Sequence, residues 1–175
     1  MQSMNEARSH FGSTIYDGKF IYVVGGLGTS KKLGPSPIDT VERYDIEKDK
    51  WEMVPVRLPL KLSGVSCMYF EEEKKIKIFG GSDSINKSTK LVFELDIDSK
   101  GGKLRECNLM LKKRQMNNKI FMKGGRLYLV GGTNENDCES WRTYDTDEER
   151  VVEKALLSYD KVIKGDLNYF CGFIV

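Results

Sequence analysis

Short apolar runs, each closed by a glycine doublet, occur three times along the chain. They are Ile21-Tyr22-Val23-Val24 before Gly25-Gly26, Ile76-Lys77-Ile78-Phe79 before Gly80-Gly81, and Leu127-Tyr128-Leu129-Val130 before Gly131-Gly132. A polar stretch follows each doublet, then a second run ending in Tyr44-Asp45, Leu95-Asp96 or Tyr144-Asp145. A charged turn and one more short run, with Trp51, Leu104 or Val151, complete the unit. Turn signals such as Asp17-Gly18, Glu47-Lys48-Asp49 and Gly124-Gly125 separate the runs, so each unit predicts four short strands. No stretch carries a convincing 3.6-residue apolar period, and helix is expected to be scarce.

The units are copies of one another. The first and third align without a gap: Met4 falls on Met110, Arg8 on Arg114, Gly18 on Gly124, Tyr22 on Tyr128 and Gly25 on Gly131. A period of about 50 residues marks a repeat architecture, in which one unit cannot bury its apolar faces alone. The tail Lys164 to Gly172 overlays Lys123 to Gly131, with Tyr169 on Tyr128.

A glycine doublet after an apolar strand, then Tyr44-Asp45, then Trp51, resembles the kelch repeat. The lead-in Met4 to Gly12 is similar to that family's as well, and Leu95, Leu104 and Val151 depart from its Tyr and Trp. The resemblance implies an all-β fold: a kelch-type β-propeller segment of about three four-stranded antiparallel blades plus half of a fourth. The blades are expected at 4–55, 56–108 and 109–155, with a partial one at 156–175. Within a blade the strands would nest from innermost to outermost, at about 10–16, 19–24, 40–45 and 50–54 in the first. Three and a half blades leave a ring open, which predicts part of a longer protein or self-association. Gly25, Gly26, Gly80, Gly81, Gly131 and Gly132 then serve strand ends rather than phosphate binding, because no phosphate-loop motif or helix follows them. Tyr44 and Trp51 are expected to pack sheet against sheet, with Asp45, Tyr144 and Asp145 at the matching strand ends.

Charge and chemistry narrow the function. In 175 residues the net charge is +2, too small for a field that gathers nucleic acid, and no apolar run is long enough to span a bilayer. Cys67, Cys107, Cys138 and Cys171 are far apart, which predicts reduced thiols in a cytoplasmic chain and no zinc site. One histidine, His10, cannot supply a copper set like that of an oxidase propeller, and no nucleophile elbow is present. The expectation is no cofactor, no metal and no catalysis. A propeller enzyme of oxidase or glycosidase type, or a degenerate repeat without a ligand, stands as the alternative.

What remains is a binding module for another protein or an acidic peptide segment. In BTB-kelch adaptors the binding face is built from two loop sets, and the resemblance carries them onto this chain. Loops after the doublets would contribute Thr29, Ser30, Ser82, Asp83, Asn86, Asn134 and Asn136. Segments leading into the innermost strands would contribute Arg8, His10, Arg57 and Arg114, whose guanidinium forks suit acidic partners. Arg8 and Arg114 hold a repeat-fixed position and have a blade-packing role as their competing reading. The stretch Leu27 to Pro37 reads as a long loop, and loops of that length without structure of their own are usually functional or disordered, which makes it a further candidate for the binding surface.

Overall fold

The computed structural model describes residues 2–30, 34–83, 87–97, 102–110, 116, 118–123, 126–130, 142–145 and 150–152. Among these there is no helix. Strand labels follow chain order.

The first blade is the antiparallel sheet β2 (Gly12–Tyr16), β3 (Phe20–Val24), β6 (Thr40–Asp45) and β7 (Lys50–Arg57), in that spatial order. The second runs β8 (Ser66–Phe70), β9 (Lys75–Phe79), β10 (Leu91–Asp96) and β11 (Lys103–Met110). The third runs β12 (Lys119–Lys123), β13 (Arg126–Val130), β14 (Arg142–Asp145) and β15 (Arg150–Val152). Inner strands of neighbouring sheets adjoin, β2 with β8 and β8 with β12, and the sheets do not close into a ring among the described residues. The fold is all-β, as the sequence pattern requires, and residues 156–175 lie outside the described ones.

Local chemistry explains the strands. β3 is rich in valine and aromatics, which fit a pleated, buried surface. Asp17 and Gly18 both adopt left-handed φ, 51° and 64°, the pair that a tight hairpin with the native strand twist requires. Their sheet register is regular, with Ile15 opposite Ile21 and Gly12 opposite Val24.

Because alternate side chains leave opposite faces, the second sheet is apolar on both. Ile76, Ile78, Phe93 and Leu95 meet Tyr22, Val24 and Val41 of the first, with Leu58, Leu62 and Val65 of the connecting segment filling the same cluster. Phe79 and Val92 point the other way, onto Leu127 and Leu129 of the third sheet. Burying each such side chain contributes about 1.5–3 kcal/mol before chain entropy is subtracted. Tyr16 and Tyr69 pack edge to face across the first interface at 4.8 Å.

One expectation is corrected. Leu27 to Pro37 is not a structureless loop: β4 (Leu27–Ser30) and β5 (Gly34–Pro37) form a hairpin that pairs with β1 (Arg8–Ser9) in a separate small sheet. Pro35 and Pro37 suit it because β5 is an edge strand, whose outward positions need no amide hydrogen.

Candidate binding rim

The glycine doublets set the geometry of one rim. Gly25 and Gly26 have φ of 59° and 104°, and Gly80 and Gly81 repeat this at 64° and 99°. This turn lets the Gly26 amide donate to the Leu62 carbonyl at 2.8 Å, and a Cβ on Gly25 would lie 2.4 Å from that oxygen. Glycine is therefore required by close approach as well as by φ. Beyond the doublets, Leu58 donates to the Asp39 carbonyl, Leu62 to that of Ile38, and Ser63 and Ser82 exchange backbone bonds. These ties bring the post-doublet segments and the lead-in to the second blade onto one rim. Gly131 and Gly132 lie outside the described residues.

Arg8 is not presented on that rim. Its side chain is fully buried and donates to Glu42 Oε1 at 2.7 Å, to the Gly25 and Thr40 carbonyls at 3.0 Å each, and to Thr40 Oγ1 at 2.9 Å. The guanidinium fixes the doublet and the start of β6, so its role as a partner contact is corrected to one in blade packing. Glu42 accepts further bonds from the Asn5 and Glu6 amides and from Asn5 Nδ2. Burial disfavours its charge, but the bonds from Asn5, Glu6 and Arg8 together outweigh this and hold the carboxyl below its usual pKa.

The remaining predicted residues divide. Arg57 is exposed at the rim end of β7 and pairs with Asp39 at 2.7 Å. His10 is exposed with φ of 53° and lies beside Ser9 Oγ at 3.1 Å. Thr29 is exposed on the β4–β5 hairpin and Asp83 is exposed beside the second doublet. Ser82 is buried and belongs to the backbone pairing with Ser63 and Ser88. Ser30 lies in β4, and Arg114, Asn86, Asn134 and Asn136 lie outside the described residues.

The aromatic motif faces away from the rim cleft. Tyr44 and Trp51 pack ring on ring at 5.1 Å, and Trp51 Nε1 donates to the Gln2 carbonyl at 3.0 Å. Among the described residues both stand outside the apolar clusters between sheets: Trp51 meets the N-terminal segment at Gln2, and the Tyr44 hydroxyl donates to Asp49 Oδ1. Asp45 caps the opposite turn, accepting from the Lys48 amide and ammonium at 3.0 Å each. Tyr144 and Asp145 occupy the end of β14, in register with Leu127 and Arg150.

An open cleft of about 580 Å³ lies on the rim between the lead-in to the second blade and its post-doublet segment. Leu60, Leu62 and Leu91 form its apolar side; Asp83, Lys87, Ser88, Thr89 and Lys90 form its polar side. Apart from Asp83, sequence reasoning had not singled out these residues. The stretch Lys87-Ser88-Thr89-Lys90 reads as a polar loop, and only its position after a doublet placed it near the rim. No group of three His, Cys, Asp or Glu side chains gathers to hold a metal among the described residues. Burial pushes the Cys67 thiol up to about 12, so at neutral pH it is a packed, protonated group.

Comparison with known proteins matches residues 7–55 to the kelch motif. An N-acetylneuraminate epimerase of Vibrio cholerae is 42% identical over 66 residues, which cover 37% of this chain and 17% of the relative. The epimerase of Vibrio vulnificus is 38% identical over the same length and shares. A kelch repeat-containing protein of Dictyostelium discoideum is 30% identical over 82 residues, 46% of this chain and 12% of the relative. The matched stretches thus span less than a fifth of each relative's own length.

Proposed function

Since the chain belongs to the kelch-repeat proteins, we propose that it is a binding module whose ligand is a segment of another protein held on the doublet rim. The cleft between the two loop sets carries this reading. It is open, half apolar and half polar, and the backbone bonds tying 58–63 to 38–39 and 82 keep its walls rigid. Such a surface favours recognition because rigid loops lose little entropy on binding. Arg57 stands at the margin of the same rim with most of its side chain in solvent.

Three relatives are named N-acetylneuraminate epimerases, and this favours a second reading in which the blades surround a sugar-acid site. The kelch motif itself is built of residues with structural duties here, the doublet, Tyr44 and Trp51, so likeness in it does not carry a reaction. Peptides selected on the full chain from a display library test the proposal. Calorimetry should then give affinity that falls for Arg57→Ala and holds for Lys48→Ala on the opposite rim. Equal affinities for all three proteins, or binding of N-acetylneuraminate in place of peptide, would count against it.

A further inference from the structure

The second blade differs from the first at the positions that line the cleft. By register and backbone pairing, Ser88 stands where blade 1 has Pro37, since the pairs Leu27–Pro37 and Ser82–Ser88 are equivalent. Lys90 likewise takes the place of Asp39, and Met110 that of Arg57, because Thr40 faces Arg57 as Leu91 faces Met110. In blade 1 this corner is self-neutralised by the Arg57–Asp39 pair. In blade 2 the charge is inverted, and among the described residues neither Lys87 nor Lys90 has an ion-pair partner.

Ser88 adds an independent observation. The residue is 5% exposed, and among the described residues its hydroxyl oxygen has no hydrogen-bond partner. Buried hydroxyls are ordinarily satisfied, because leaving one without a partner is costly. Its backbone is held by the bridge to Ser82, with Thr89 donating to the Gly81 carbonyl at 2.8 Å. A turn about χ1 redirects the hydroxyl without moving that backbone.

We propose that this cleft reads one carboxylate of an extended peptide: Ser88 donates to the acid, Lys90 and Lys87 supply its countercharge, and an aliphatic neighbour lies on Leu60 and Leu91. The assignment rests on the rim reading above and names what the rim recognises. Charge selects the acid. Among the described lining residues, two ammonium groups against the carboxylate of Asp83 leave one net positive charge, which matches a carboxylate better than a phosphate dianion. The leucine wall and the openness of the cleft favour a peptide over a compact polar sugar acid.

The test uses the full chain, isotope-labelled, titrated with the capped tripeptide acetyl-Leu-Glu-Leu-amide, its Gln counterpart and N-acetylneuraminate. The Glu peptide should shift the amides of Ser82, Ser88, Thr89 and Leu91, and the Gln peptide should bind at least roughly tenfold more weakly. Ser88→Ala and Lys90→Gln should each weaken the Glu peptide by about three- to tenfold with melting temperatures unchanged. Two variants keep the test sound should one perturb folding. No shift at these amides up to saturation, equal binding of Glu and Gln peptides, or shifts caused by the sugar acid alone would overturn the assignment. Display-selected peptides separate the two failures. Sensitivity to Arg57→Ala without sensitivity to Ser88→Ala removes the carboxylate site and leaves the rim reading; sensitivity to neither removes both.

Discussion

Blades 1 and 2 share a backbone plan but hold their leading faces by opposite chemistry. In blade 1 that face carries Arg8, Glu42, Tyr44 and Trp51, and residues 2–6 lie across it through bonds to Glu42, Asp49 and Trp51. In blade 2 the equivalent positions are Leu62, Phe93, Leu95 and Leu104, and all four join the apolar cluster against blade 1. A sheet that packs on another sheet uses size and shape. Where an extended segment lies on a sheet, directed hydrogen bonds hold it, because such a segment offers backbone amides and little apolar area. Among the described residues, the same repeat thus carries two solutions.

The largest effects should come from breaking the polar solution. Glu42→Ala removes the buried counter-ion of Arg8, leaving only the longer, part-exposed pairing with Glu6 at 3.4 Å, and should cost about 3 kcal/mol in denaturant unfolding. Writing blade 2's residues into blade 1, as Arg8→Leu with Glu42→Phe, should recover most of that loss, since an apolar pair of similar bulk replaces a buried ion pair at little net cost. A double variant as unstable as the single one would show that the two faces are not interchangeable.

Next comes the doublet. Gly25→Ala combines a left-handed φ with a Cβ 2.4 Å from the Leu62 carbonyl and should cost about 2–4 kcal/mol. Gly18→Ala has similar φ but open space around it, and should cost only about 1 kcal/mol. Thermal unfolding of the two variants side by side isolates the close approach from the backbone strain.

Acid should act on the same comparison. Glu42 and Glu94 are both held below the usual carboxylate range. For Glu94, burial is opposed and outweighed by Arg105 and Lys75. Their folded pKa lies below the unfolded one, so the contribution is full above about pH 5.5 and fades as pH falls through the unfolded value toward the folded one. Glu42→Gln should therefore lower stability at pH 7 and flatten its fall between about pH 5 and 3. An unchanged acid slope would place the sensitive carboxylate elsewhere.

The smallest structural effect should be at the rim. Arg57 pairs with Asp39 while two-thirds exposed, so Arg57→Ala should change stability by no more than about 1 kcal/mol. Its effect on ligand affinity should be larger, about 1–3 kcal/mol, because a bound partner desolvates the group. Lys48→Ala, on the opposite turn, should change neither by more than about 0.5 kcal/mol.

Much of the fold was legible because it is written in local signals: apolar runs, paired glycines and the Asp17-Gly18 turn each specify a strand or its end. The β4–β5 hairpin was not, since Gly34, Pro35 and Pro37 look like loop residues until a neighbouring strand, β1, gives their segment an edge to join. Arg8 shows a second limit. A repeat-fixed arginine reads equally as a contact or a clamp, and only the buried Glu42 on β6 decides between them. The cleft residues Ser88 and Lys90 carry no motif; they become visible when blade 2 is laid on blade 1 and a proline and an aspartate are found in their places.

Hydrogen exchange on the full chain, with and without a display-selected peptide, tests the rim most directly. The account predicts added protection in 26–39, 58–66 and 82–91, and none at the opposite turns 17–19, 46–49 and 71–74. Protection at those opposite turns, with the rim segments unchanged, would contradict it.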